Sequence, residues 1–154
     1  MEKREIYKPK YFKPYELLPP EVYTHKVYNS EEEAYKVLNE LMDYEFLVTM
    51  DAVREILGVP LIVNTWYQGG NRKYCGYRPQ NCSVGVAKSQ HKLGKAADCV
   101  SNKMTASQMW EKLDADKDKL PYPIRVEKGA AITWLHCDNK DMDYKGQKIY
   151  YFQG

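Results

Sequence analysis

No apolar run in the chain approaches the roughly 18 residues that a membrane-spanning helix requires, so insertion into a membrane is not expected. The opening stretch, MEKREIYKPKYFKPYE, lacks the apolar segment of a secretory signal. The protein is therefore expected to be made in the cytoplasm, and a substrate beyond the membrane would be met only after release. Charge of one sign is missing too. With 23 basic and 21 acidic residues the net charge is +2, too weak a field to recruit nucleic acid or an acidic surface. Lys92 and Lys95 form no basic stripe and no recognised binding motif is present, so no nucleic-acid partner is expected. Gly94-Lys95 lacks the earlier glycine of a phosphate loop, because Ser89 stands in its place. Cysteine is sparse: Cys75, Cys82, Cys99 and Cys137 contain no CxxC pair, which removes a zinc-finger arrangement, and are too few for a disulfide scaffold. They read as reduced thiols packed as small apolar groups, with a Cys75–Cys82 link across a loop left open. Histidine is scarcer still, with three in 154 residues, which makes the position of each informative.

What is present fits one globular domain: 44% apolar residues in 154, enough to bury most of the apolar surface. Tyrosine is abundant, at 14 residues, and suits either a shallow core or a polymer-binding groove, because its ring packs while its hydroxyl stays wet. Residues 1–29 carry Pro9, Pro14, Pro19 and Pro20 among Tyr7, Tyr11, Phe12, Tyr15, Leu17 and Leu18. Proline fixes φ and removes donors, so this part reads as an extended arm without regular helix, its aromatics docked on a domain spanning 30–154. Ser30 and Glu33 fit a capping box for a helix that buries Ala34, Val37, Leu38, Leu41 and Met42. A second helix aligns Phe46, Met50, Val53 and Leu57 and stops at Gly58 and Pro60. LIVNTW at 61–66 reads as a strand, followed by a long connection rich in turn formers, a length usually reserved for function. AADCV reads as a buried strand, and Thr105 and Gln108 cap a helix with Met109, Trp110 and Leu113 inward. Strands are expected at 122–127, 132–138 and 147–152. Helices first and strands later indicate a single α+β domain, mainly antiparallel, with helices packed on one side of the sheet.

The residues that carry chemistry lie in SQHKLGKAAD and WLHCD. His25 sits in the proline-rich arm and reads as a surface or packing residue. His91, Asp98 and His136 are a different matter, because two imidazoles and one carboxylate suit catalytic zinc, which takes three protein ligands and leaves one position for water. Gly94 lets the chain turn after His91, and Ala96 and Ala97 permit close approach to neighbouring strands. Period-two alternation puts Trp134, His136 and Asp138 on one face of their strand. On spacing alone such a histidine is more often a satisfied core histidine, and the aspartate could simply cap a strand end.

SQHKLGKAAD resembles the SxHxxGxAxD signature of the zinc D-Ala-D-Ala peptidases, which include bacterial carboxypeptidases and dipeptidases and phage peptidoglycan endolysins. WLHCD resembles the second signature of these LAS-type metallopeptidases, and the order of the two motifs agrees over residues 30–152. The resemblance implies a hedgehog-like or D-Ala-D-Ala peptidase-like fold with the zinc site at the sheet. His91, Asp98 and His136 would be the Zn2+ ligands. VNTW and CGYRP resemble a strand and GYR element that carries over to Arg78, a contact for the substrate backbone or carboxylate. Ser89 and Gln90 would orient the ligand loop. Several members place Glu three residues before the last His, where this chain has Thr133. Glu127, on the preceding strand, is then the expected general base, with Asp138 the runner-up and more suited to a hydrogen bond behind the metal. The implied activity is that of a monomeric, endolysin-like hydrolase cutting peptidoglycan stem or cross-bridge peptides that contain D-amino acids. The alternative is a catalytically inactive, zinc-stabilised binding or virion structural module of the same fold.

Overall fold

The computed structural model describes residues 5–26, 30–86 and 88–153; the side chains of His25 and Lys26 also lie outside the described residues. Residues 5–13 run extended along two later helices, α3 (Glu31–Leu41) and α4 (Tyr44–Leu57). Tyr7 exchanges backbone hydrogen bonds with the Asn39 amide, and the buried Asp51 carboxylate accepts from the Lys10 N–H (2.7 Å), the Tyr11 N–H (3.1 Å) and the Tyr7 hydroxyl. Phe12, Leu17 and Leu18 enter the main core, so the arm is part of the packed body.

The expectation that the first 29 residues lack regular helix is corrected by α1 (Pro14–Leu17) and α2 (Pro20–Lys26). Each begins on a proline, and the first helical position is where proline costs nothing, because its missing N–H would have had no partner there. Ser30 caps α3 by accepting from the Glu33 N–H, and Asp43 caps α4 by accepting from the Phe46 N–H. Thr105 and Gln108 form the full reciprocal box at the start of α5 (Ala106–Ala115). The apolar stripes expected of these helices are buried, Phe46, Met50 and Val53 with 1% exposure or less, except that Leu41 and Trp110 are half-buried against the core.

The sheet holds β1 (Ala96–Cys99), β2 (Ile124–Glu127), β3 (Leu135–Asp138) and β4 (Ile149–Phe152) in the order β1-β3-β2-β4. Pairs β1/β3 and β2/β3 are antiparallel and β2/β4 is parallel, so the α+β sheet is mixed. Residues 139–148 carry the chain past β2 to its far edge, where β4, still antiparallel to β3, must run parallel to β2. The stretch 61–66 forms only a single bridge, Ile62 to Val100, and no strand. Its polar residues are committed elsewhere: the Asn64 N–H donates to the Glu16 carbonyl, and the Thr65 hydroxyl accepts from the Arg72 N–H.

Alternation divides the sheet into two faces. Ala97, Cys99, Ile124, Val126, Leu135, Cys137 and Ile149 belong to the hydrophobic core, where α5 packs against β3. On the opposite face the register sets Asp98 opposite His136, Arg125 opposite Asp138 and Glu127 beside Phe152. All four cysteines are free thiols, so Cys75 and Cys82 are not linked. Among the described residues no helix is long and apolar enough to cross a membrane.

Candidate metal centre

His91 lies in a short 3-10 turn, Gln90–Leu93, that the Ser89 side chain caps by accepting from the His91 N–H. The turn ends at Gly94, whose φ of +70° is the left-handed region, and a Cβ there would stand 2.0 Å from the Leu41 carbonyl oxygen. Glycine is thus required twice at this position, by conformation and by the close approach of α3. Beyond it the chain enters β1, where Ala96 and Ala97 are fully buried and Asp98 turns to the polar face. His136 comes from β3, directly opposite Asp98.

These three residues each offer one ligand atom, all within 4.8 Å of one another. The His136 Nδ1 is 2.7 Å from Asp98 Oδ1, and the His91 Nε2 is 3.3 Å from Asp98 Oδ2. His91 donates its Nδ1–H to the Gly76 carbonyl (2.8 Å), which leaves Nε2 to face Asp98. That carbonyl is itself fixed: a Cβ on Gly76 would stand 2.3 Å from the Leu17 carbonyl oxygen, to which the Tyr77 N–H donates at 2.8 Å. The end of α1 therefore braces the loop that orients His91.

The electrostatics are those of donors facing one another. Burial alone would raise the Asp98 pKa, but hydrogen bonds from His136 and then His91 outweigh it and hold the carboxyl well below its usual range. Burial alone would lower His136, but its hydrogen bonds to Asp138 and Asp98 prevail and push it up to about 9. A proton shared between an imidazole and a carboxylate occupies the place of a cation, and metal binding to such a set releases it. Two imidazole nitrogens and one carboxylate oxygen in this arrangement could hold a metal ion.

The other expected residues fall around this group. Arg78 places Nη2 3.5 Å from Asp98 Oδ2, its Nε donating to the Tyr74 carbonyl at 2.8 Å. Asp138 has no exposed surface and accepts from His136 Nε2, from both arms of Arg125 and from the Lys140 N–H. Glu127 is half-buried, and its side chain makes no hydrogen bond or ion pair with another described residue. One step along the β2/β3 register, from Val126 opposite Cys137, sets it level with His136 on the polar face. Trp134 lies just before β3, half-buried. Sequence reasoning missed Arg125, the Gly76 carbonyl and Arg72, whose Nη2 donates to the Asp98 carbonyl at 2.9 Å. Of these only Arg125 left a signal, since it stands two residues before Glu127 and therefore on the same strand face. No protein-family model, curated protein or solved structure matches this chain.

Proposed function

We propose that this chain is a zinc-dependent peptidase acting on the stem or cross-bridge peptides of peptidoglycan. The observation that carries the reading is the convergence of His91, Asp98 and His136 within 4.8 Å, in motifs that resemble both signatures of the zinc D-Ala-D-Ala peptidases. Zinc held there would supply Lewis acidity for the scissile carbonyl and a water acidic enough to ionise near pH 7, at about that value.

The remaining chemistry belongs to side chains. Glu127 shares the polar face with His136 and its carboxylate has no partner among the described residues, so it is the group to take a proton from the attacking water and return it to the leaving amine. Asp138 is fully enclosed by four donors and serves better to hold His136 than to move a proton. Arg78 lies beside the metal group, with Nη2 3.5 Å from Asp98 Oδ2, and its guanidinium is the group to contact a peptide carboxylate. Release from the cytoplasm to the wall would come at lysis, as for an endolysin.

The experiment is clearance of purified cell walls of several cross-bridge types, with and without a chelator. Chelator-sensitive clearing that is lost in His136→Ala supports the hydrolase. Tight zinc binding with no clearing of any wall would instead identify a zinc-stabilised binding or virion module, the reading that Thr133 keeps open.

A further inference from the structure

We infer that Arg125 is a positioning residue: through Asp138 it selects which ring nitrogen of His136 is offered to the cation. The inference rests on the metal centre proposed above and assigns a role outside the ligand set. His136 sits between two carboxylates, with Asp98 Oδ1 2.7 Å from Nδ1 and Asp138 Oδ2 2.7 Å from Nε2. An imidazole ligates through either nitrogen, and the hydrogen-bond partner of one decides that the other is free. The carboxylate that holds its place more firmly therefore chooses the ligating atom.

Asp138 is the firmer of the two. The Arg125 Nε donates to its Oδ1 at 2.8 Å and Nη2 to its Oδ2 at 2.9 Å, a two-point fork that forbids rotation of the carboxylate unless both charge-assisted bonds break. The Lys140 N–H adds a third contact to Oδ1 at 3.1 Å. Arg125 is braced in turn by the Phe152 ring, 4.0 Å from its guanidinium carbon, and the same ring meets His136 edge-on at 5.8 Å. Four side chains from three strands thus close a ring of contacts on the polar face. Asp98, by contrast, is held by no such fork. Its Oδ2 is shared between the His91 Nε2 at 3.3 Å and the Arg78 Nη2 at 3.5 Å.

The two imidazoles consequently offer different nitrogens. His91 is anchored at Nδ1 by a backbone carbonyl, which no substitution removes, and presents Nε2. His136 is anchored at Nε2 by an Asp–Arg pair and presents Nδ1. The second anchor is made of side chains, so it is open to test.

Zinc affinity is measured by competition with a chromophoric chelator, and the ring nitrogens of the zinc-loaded protein by long-range proton–nitrogen NMR. The wild type should carry its His136 proton on Nε2 and its metal on Nδ1, with His91 the reverse. Arg125→Met should weaken zinc by about 10–100-fold and disturb the His136 nitrogen signals while leaving those of His91 in place. Arg125→Lys, which keeps the charge and loses the fork, should recover only part of the affinity. Asp138→Asn should lose as much as Arg125→Met, and the double variant no more than the worse single one, because both break one relay. Thermal melts of the metal-free proteins check folding; should Arg125→Met not fold, Arg125→Lys and Asp138→Asn carry the same test. A wild type that does not bind zinc, or a His91→Ala variant that binds it as tightly, overturns the metal centre. A wild type that binds zinc while the Arg125 variants match it in affinity and in His136 nitrogens overturns this inference alone.

Discussion

The two faces of the sheet are written by alternate residues of the same four strands, yet they obey different rules. The inner face holds Ala97, Cys99, Leu135 and Cys137, all without exposed surface, and its chemistry is the burial of apolar area. The outer face holds Asp98, His136, Asp138 and Arg125, joined by hydrogen bonds of 2.7–2.9 Å, and its chemistry is that of charges kept close at the cost of desolvation. Neighbours in sequence, Leu135 and His136, thus serve separate ends. A strand only four residues long can carry both because its side chains alternate, so the fold and the site should fail independently.

Substitutions that strike one face and spare the other can break this separation. The largest effect is expected for His136→Ala, which should abolish zinc binding and wall clearance together while the protein stays folded, as seen in metal content, turbidity and circular dichroism. Next is Glu127→Gln, predicted to lower the turnover rate by about 10²–10⁴-fold with zinc retained, the range typical of a lost general base. Steady-state rates on a soluble stem peptide, beside metal analysis, check it. On the inner face Leu135→Ala should destabilise the protein by about 2–5 kcal/mol through the cavity it leaves, with zinc stoichiometry per folded molecule unchanged. Denaturant melts measure the former and calorimetry the latter.

The smallest effect is a pH trend in the metal-free protein. His136 rises from 6.5 to about 9 on folding, so its contribution to stability is full below 6.5 and is lost as pH climbs through about 9. Metal-free protein should therefore lose stability over that window. Zinc, which competes with the proton, should stabilise most at its upper end. Melting temperatures at pH 6 to 9.5, with and without zinc, would show the two curves diverging; parallel curves would argue against a shared proton at the site.

Much of the site was legible because its signal is local. His91 and Asp98 sit within one short motif, with Gly94 and the alanines marking the turn and the close strand between them, and His136 occupies a strand whose alternation is plain. The helix caps at Ser30 and Thr105 were legible for the same reason. What escaped depends on register and on connections between distant segments. Arg125 pairs with Asp138 only because the β2/β3 hairpin aligns them, and no local pattern states where that hairpin turns. The parallel placement of β4 follows from the path of residues 139–148, which period and propensity do not encode. Pro14 and Pro20 were read as barriers to helix when they begin one each, a matter of position within the helix rather than of residue type. The Gly76 carbonyl is invisible to any side-chain motif, because the backbone does the work.

The central claim is that His91, Asp98 and His136 bind one divalent ion. Titrating metal-free protein with Zn2+ in a calorimeter, in two buffers of different ionisation enthalpy, tests it most directly. The expected result is one ion per chain, with protons released on binding and the affinity abolished in Asp98→Asn and His136→Ala. Binding that is absent, or that survives both substitutions, would contradict it.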